Sequence, residues 1–430
     1  MLNDRNYKVF PRMVRCGREE TVSICPMGRC ARFDDSAEYT VLLVPCDQSE
    51  RTLVGDDIPD DYAAEGRLSV RPHDGVLSFR YTFVGEQQWV ILVSSEHESE
   101  RHFTVYALED DLYRLTPYMG DLHAHSCRSD GQEDPAVVAA NYRKAGFDFM
   151  GITDHSKWRP SVEAIDAYRD APIDLLMFTG EELHFKGHYI HVVNFGSRYS
   201  VNELYFANEE KIHAELVRES EEIQVPSGVN ALEYCYRKWI YEEIKKSGGF
   251  CIVPHPHWYA GYQYNMHDRI LHYVFETGLY DAFELLGGQT VHENNLQIGF
   301  YIDQCLEGRR LPIVGSSDSH GTDPACWFKQ SKTIVFAEEL THESVLGAIS
   351  DFYSVAVDSM PGEEVRVYGS MRLVKYGRFL LDYYFPEHDE LCFSEGRAMR
   401  NYVCGEAGAL NELGRLRGRT AAYADRSFGR

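Results

Sequence analysis

Residues 147–156 read FDFMGITDHS, an apolar run that stops on an aspartate and a histidine, Asp154 and His155. The same design recurs along the chain. YMGDLHAHS (118–126) ends on His123 and His125, GFCIVPHPH (249–257) on His255 and His257, and LPIVGSSDSH (311–320) on Asp318 and His320. Apolar runs of this length, bounded by Gly, Pro and Asp, read as buried strands. Helical patterns alternate with them: DPAVVAANYRKAG (134–146), ALEYCYRKWIYEEIKKSGG (231–249), NLQIGFYIDQCLEG (295–308) and HESVLGAISDF (342–352). Alternating strands and helices define an α/β class. In a β/α barrel the C-terminal strand ends converge on one face, so ligands far apart in sequence would share one cleft.

Outward from this region the texture changes. Residues 1–116 hold short alternating runs, TVSICP, YTVLLVP, LSFRYTFV, QQWVILVSS and HFTVYAL. Period-two patterning at that spacing predicts an antiparallel, sandwich-like β domain. The barrel region is expected over 117–352. A mostly helical extension is expected over 353–430, where Leu373, Tyr376, Leu380 and Tyr383 repeat at helical steps.

Thirteen of the 18 histidines fall between His123 and His320. In an extended segment residues two apart point to one side, so His123 and His125 can reach one ion. Asp130 follows in SDG. In FTGEEL the adjacent Glu181 and Glu182 carry a desolvation cost that a cation would offset. Alternation sends only one of them to the barrel mouth, and Glu182 is the choice. HFKGHYIH offers His184, His188 and His191, of which His191, leading VVNFG, is preferred and His188 competes. Asp154 alone reads equally well as an orienting carboxylate for a structural histidine.

The chain has 430 residues, 44% of them hydrophobic, enough for sizeable cores, and a formal net charge of −24. Such a charge disfavours nucleic acid as a partner. No apolar run is long enough for a membrane span. Eleven scattered cysteines and a polar N-terminus without a targeting signal point to reduced thiols and a cytoplasmic location.

In this order, GDLHAHSCRSDG, GITDHS, GEEL with HVV, VPHPH and GSSDSHG resemble the PHP (polymerase and histidinol phosphatase) family of metal-dependent phosphoesterases. The resemblance covers roughly residues 118–337. A β domain ahead of the first motif also looks like its carbaryl-hydrolase-like (CehA/McbA) branch. The resemblance implies a distorted (β/α)7 barrel with two or three divalent ions, Zn, Mn or Fe. It implies one ion on His123, His125, Glu182 and Asp318, a second on Glu182, His191 and His255, and a third on Asp130, His155 and His320.

The expected reaction is attack of a metal-bridging hydroxide on a small phosphate ester. Asp318 and a nearby histidine, His257, are the candidate catalytic groups, with Lys157, Arg159 and His257 as candidate substrate contacts. Hydrolysis of a carbamate, ester or amide is the alternative, kept open by Trp158, Trp258 and Tyr259. A non-catalytic, metal-stabilised interaction module is a further one. The partner is a small-molecule substrate, with a homo-oligomer left open.

Overall fold

The structure is a computed structural model that describes residues 6–29, 31–47, 66–185, 190–288 and 290–430. His188 lies outside the described residues. The chain divides into two units, Met1–Thr116 with Lys375–Glu387 and Arg419–Arg430, and Pro117–Val374 with His388–Gly418. Residues 375–387 and 419–430 fall in the first unit and residues 388–418 in the second.

In the first unit the strands are β1 (Tyr7–Phe10), β2 (Met13–Arg15), β3 (Glu19–Pro26), β4 (Tyr39–Pro45), β5 (Arg67–Val70), β6 (Leu77–Thr82), β7 (Gln87–Ser94) and β8 (Arg101–Leu108). They form two sheets, β1-β3-β6 and β2-β8-β7-β4-β5. Alternate residues of both sheets, among them Val22, Ile24, Val41, Leu43, Phe79, Trp89, Ile91, Phe103 and Val105, share one buried cluster. This is the sandwich that the alternating runs predict. One pairing is parallel, β2 against β8.

The second unit holds β9 (Thr116–Asp121), β10 (Phe149–Gly151), β11 (Leu176–Phe178), β12 (Gly180–His184), β13 (His191–Phe195), β14 (Phe250–Val253), β15 (Tyr259–Ala260), β16 (Gln263–Tyr264), β17 (Ala282–Gly287), β18 (Ile313–Ser316), β19 (Ser331–Ala337), β20 (Ser354–Asp358) and β21 (Arg366–Tyr368). Six of these form the sheet β11-β10-β9-β19-β20-β21, five form β12-β13-β14-β17-β18, and β15-β16 is a hairpin. Leu122, Phe149, Phe178, Val193, Phe195, Ile252, Ala282, Val314 and Val335 draw the two larger sheets onto one buried core. Each Val, Leu, Ile or Phe among them contributes about 1.5–3 kcal/mol on leaving water.

One continuous seven-stranded barrel ladder is not what the described residues form. β13 runs antiparallel to both neighbours, β12 and β14, and β20 antiparallel to β19. Two isolated parallel bridges, Ala124 with Ser319 and His155 with Glu182, join the two larger sheets. Both bridges involve the segments that carry the histidines and carboxylates.

Candidate metal centre

The first donors follow β9. Asp121, at its last position, accepts from the amides of His123 and Ser317, each at 3.1 Å, and from the Tyr142 hydroxyl at 3.0 Å. Burial raises the Asp121 pKa to about 6, with those hydrogen bonds opposing it. This buried carboxylate braces the His123 loop against the loop that carries Asp318. Asp154 works similarly after β10, accepting from the Ser126 amide at 2.8 Å and its hydroxyl at 2.6 Å, and from the Ser129 hydroxyl. It braces this loop through serines, where the sequence reading has it orienting a histidine.

Four atoms then converge. His125 Nε2 lies 3.0 Å from Asp318 Oδ1 and 3.2 Å from His123 Nε2. His123 Nε2 lies 3.2 Å from Asp318 Oδ1 and 3.3 Å from Glu182 Oε2. All four residues are buried, and their ligand atoms fall within 4.8 Å of one another.

The other Glu182 oxygen, Oε1, meets His191 Nδ1 at 2.7 Å and His255 Nε2 at 3.2 Å. Unlike the other donors, His191 opens its strand. β13 is antiparallel to β12, so its first residue sits opposite His184 beside the site. Glu181, one residue before Glu182, faces away. Its carboxylate accepts from Asn194, Ser200, Asn202 and the Val201 amide, and it is fully engaged there. Strand alternation separates the two glutamates.

A third group is more open. Asp130 Oδ2 lies 3.3 Å from His320 Nε2 and 3.6 Å from His155 Nε2, and Asp130 Oδ1 lies 4.0 Å from His125 Nδ1. The Asp130 side chain is 56% exposed, against 0% for Glu182, so the cluster meets solvent here.

The electrostatics fit cations. Burial opposes ionisation of Glu182, but His155, His191 and His123 outweigh it and hold its pKa well below the usual carboxylate range. Asp318 is lowered in the same way, burial being overcome by His123, His125 and His255. Burial likewise works against protonating His155, yet Glu182 and Asp130 raise its pKa to about 9. The carboxylates raise the pKa values of His123, His155 and His255 against burial, while burial lowers those of His125 and His191. Divalent ions can replace imidazolium protons. His155 Nδ1 and Glu182 Oε2 approach to 2.9 Å, but neither has a hydrogen-bond partner, and His125 Nδ1 and His255 Nδ1 are also buried without one. Unsatisfied nitrogen and oxygen donors around a common region fit a metal site of mixed N/O type.

Two positions in this centre are backbone-strained. Asp318 has φ +49° and His255 φ +25°, values that cost a non-glycine residue energy and recur at functional sites. At His255 the turn has a second effect. The same-side logic that holds for His123 and His125 fails for His255 and His257, because the segment there is not extended. His257 Nε2 instead lies 3.4 Å from Asp268 Oδ1, and its ring packs on Tyr264 and Phe300. It is not among the grouped donors. Lys157 and Arg159 are exposed, and the Lys157 ammonium donates to the Arg128 carbonyl.

Two participants escape a reading of strand ends. Glu284, inside β17 and fully buried, places Oε1 3.4 Å from His123 Nδ1 and accepts from the His255 amide at 3.0 Å. A lone glutamate within the apolar run YDAFELLG was the available signal. Trp327 sets its indole 5.8 Å from the His320 ring. Trp258 lies 5.8 Å from His191 and 5.7 Å from His255.

No family model matches the chain, and no curated protein matches it. Among solved structures, it is similar to a two-domain protein from Bacteroides vulgatus described as containing a PHP-like metal-dependent phosphoesterase, with 19% identity and a TM-score of 0.42 over 56% of this chain. That match spans 65% of the other protein, just under two thirds of its length. A structure from Bifidobacterium adolescentis described as a metal-dependent phosphoesterase matches 47% of this chain and 88% of its own, with 18% identity and a TM-score of 0.34. An amidohydrolase from Chromobacterium violaceum matches 47% and 87%, with 16% identity and a TM-score of 0.32.

Proposed function

We propose that this chain is a metal-dependent hydrolase whose substrate is a small phosphate ester. The observation that carries the reading is the convergence of His123, His125, Glu182 and Asp318 within 4.8 Å. On this reading the two bridged sheets are a distorted (β/α)7 barrel. His123, His125, Glu182 and Asp318 hold one ion, Glu182, His191 and His255 a second, and Asp130, His155 and His320 a third. Zn, Mn and Fe all suit such donors. When bound, divalent ions lower the pKa of water towards neutrality and offset charge on the oxygens of an ester.

The chain's own residues supply the rest. Glu284 orients the His123 ring through Nδ1 and the His255 turn through its amide. Of the two ionised carboxylates in the tightest group, Asp318 reaches solvent at 7% exposure and Glu182 does not at 0%. Asp318 is therefore the group placed to take a proton from the attacking water. The open side at Asp130, His155 and His320 admits the substrate. A location in the cytoplasm agrees with scattered cysteines, and among the described residues no helix is long and apolar enough to cross a membrane.

A second reading, hydrolysis of a carbamate, ester or amide in the manner of the CehA/McbA branch, draws on a specific observation. Indoles stand against the donor rings, and Lys157 is engaged elsewhere. One experiment separates the two. Metal content by elemental mass spectrometry is measured on protein prepared without chelator, with turnover of p-nitrophenyl phosphate and p-nitrophenyl acetate on the same sample. Two or three ions and chelator-sensitive phosphatase activity support the first reading. Ions with only carboxylester turnover select the second, and no metal after reconstitution overturns both.

A further inference from the structure

Beyond the donor cluster, the segment Trp258–Tyr264 (WYAGYQY) makes an unusual surface. β15 and β16 pair Tyr259 with Tyr264 and Ala260 with Gln263, leaving Tyr262 at the tip. Tyr259, Tyr262 and Tyr264 are exposed at 53%, 94% and 39%, a concentration of ring surface that a soluble turn has no structural need to show. The hairpin is held in place. Its base is tied by the Asn265 amide to the Trp258 carbonyl at 2.9 Å and the Met266 amide to the Pro256 carbonyl at 2.9 Å. Glu293, in the helix Val291–Leu306, accepts from the Tyr259 amide at 2.8 Å.

An open cavity of about 660 Å³ lies against this hairpin, and Tyr259, Tyr262, Gln263 and Tyr264 form one wall. Asn230 and Glu233 contribute to its lining. Asn230 Oδ1 accepts from the Glu233 amide at 3.1 Å, which leaves the exposed side-chain nitrogen Nδ2 for another partner, while the Glu233 carboxylate is held by Arg237 at 2.8 Å. The site is linked to the donor cluster through Trp258, the residue before Tyr259, whose indole packs on His191 and His255. Tyr264 packs on His257 at 5.6 Å.

Ring faces with hydroxyl, amide and carboxylate groups around them suit a ligand that is flat and weakly apolar on one face and rich in hydroxyls at its edge. Tyrosine offers both an apolar body and a polar tip, and a few placed polar groups set orientation in such cavities. A sugar ring has this character.

We propose that the hairpin and its cavity are a recognition subsite for the sugar ring of a sugar phosphate, whose phosphate lies at the donor cluster. The proposal rests on the hydrolase reading above. It also explains His257 without assigning it a catalytic role: held by Asp268 and packed on Tyr264, it supports the subsite wall.

The test uses the full chain reconstituted with metal. Pentose and hexose monophosphates are compared with glycerol 2-phosphate and p-nitrophenyl phosphate in wild type, Tyr259→Ala and Tyr264→Ala. The expected result is a kcat/KM for at least one sugar phosphate tenfold or more above that for glycerol 2-phosphate. Each variant should lower that ratio at least fivefold, mainly through KM. Equal use of glycerol 2-phosphate, a preference for p-nitrophenyl phosphate, or a ratio unmoved by both variants overturns the subsite and leaves the hydrolase reading standing. If no phosphate ester is turned over, the phosphate-ester reading falls and the subsite is judged by saturation-transfer NMR with the same sugar phosphates. Signal lost in Tyr264→Ala then supports it, and absence of signal in wild type overturns it.

Discussion

Glu284 Oε1 stands 3.4 Å from His123 Nδ1, while its Oε2 takes the His255 amide proton at 3.0 Å. One buried carboxylate thus sets the ring of one candidate ligand and the backbone of another. Partners of this kind fix the tautomer and aim of a metal-binding imidazole, and losing one typically weakens metal binding about 10–100-fold. Glu284→Gln keeps the shape and removes the charge. Its metal affinity, measured by competition with a chromophoric chelator, should fall by roughly that factor while the circular dichroism spectrum stays native. An unchanged affinity would leave Glu284 as packing alone.

Asp318→Ala should abolish turnover and reduce metal stoichiometry while the chain stays folded. Two effects oppose each other in its stability. The variant places a non-glycine residue without a side-chain anchor at φ +49°, which costs about 1–2 kcal/mol, but it also relieves a buried carboxylate in the metal-free state. The thermal midpoint should therefore move only a few degrees. Retention of most activity would remove Asp318 from the site.

Gly288 packs so closely on the next strand's loop that a Cβ there would sit 1.5 Å from the Ser317 carbonyl oxygen. Backbone must move to admit any side chain, and the backbone in question leads into Asp318. Gly288→Ala should cost on the order of 3 kcal/mol in denaturant unfolding, at the upper end of ordinary substitutions. It should also depress metal binding, which a purely local defect would not do.

Arg143 bonds Glu395 at 2.7 Å and Asp148 at 2.8 Å, and Asp148 also meets His388 at 2.9 Å, all of it buried. Burial works against protonating His388, but Asp148 outweighs it, with Cys392 and Asp389 adding to the effect, so its pKa lies well above the usual value of 6.5. A raised folded-state pKa stabilises fully below the unfolded value and loses that contribution as pH rises through the folded one. The stability advantage of wild type over His388→Gln, from urea unfolding, should be about 3 kcal/mol below pH 6.5 and shrink in alkali. An advantage that grows with pH would contradict this assignment.

Removal of metal gives a further check. Chelator-treated protein should unfold at a lower temperature than loaded protein, with re-addition restoring the midpoint. Saturating an ion at about 100 times its dissociation constant adds roughly 2.7 kcal/mol. A midpoint indifferent to chelator would mean that the donor cluster binds no ion.

The residues that reach the cluster were legible because they obey local rules. His123 and His125 share a side through the two-residue period, Glu182 and Glu181 part by the same period, His155, Asp318 and His320 sit just past apolar runs, and Asp130 stands in the SDG that follows His125. Where the backbone leaves the extended form the rule fails. The positive φ of His255 turns His257 to Asp268, and no pattern of residue types announces that angle.

What the sequence determined by itself was therefore the alternation of strand and helix, the chemistry of the donors and which of two neighbours faces inward, since each depends on residue type and a short repeat. The tertiary structure alone decided that β13 runs antiparallel, that Glu284 reaches His123 across 161 residues, that Trp327 closes on His320, and that two sheets meet through single bridges in place of one ladder. The Glu284–His123 contact and the single bridges are pairings between segments distant in the chain. They are selected by the burial of a shared core and by the need of buried polar groups for partners, and neither quantity exists until the chain is folded.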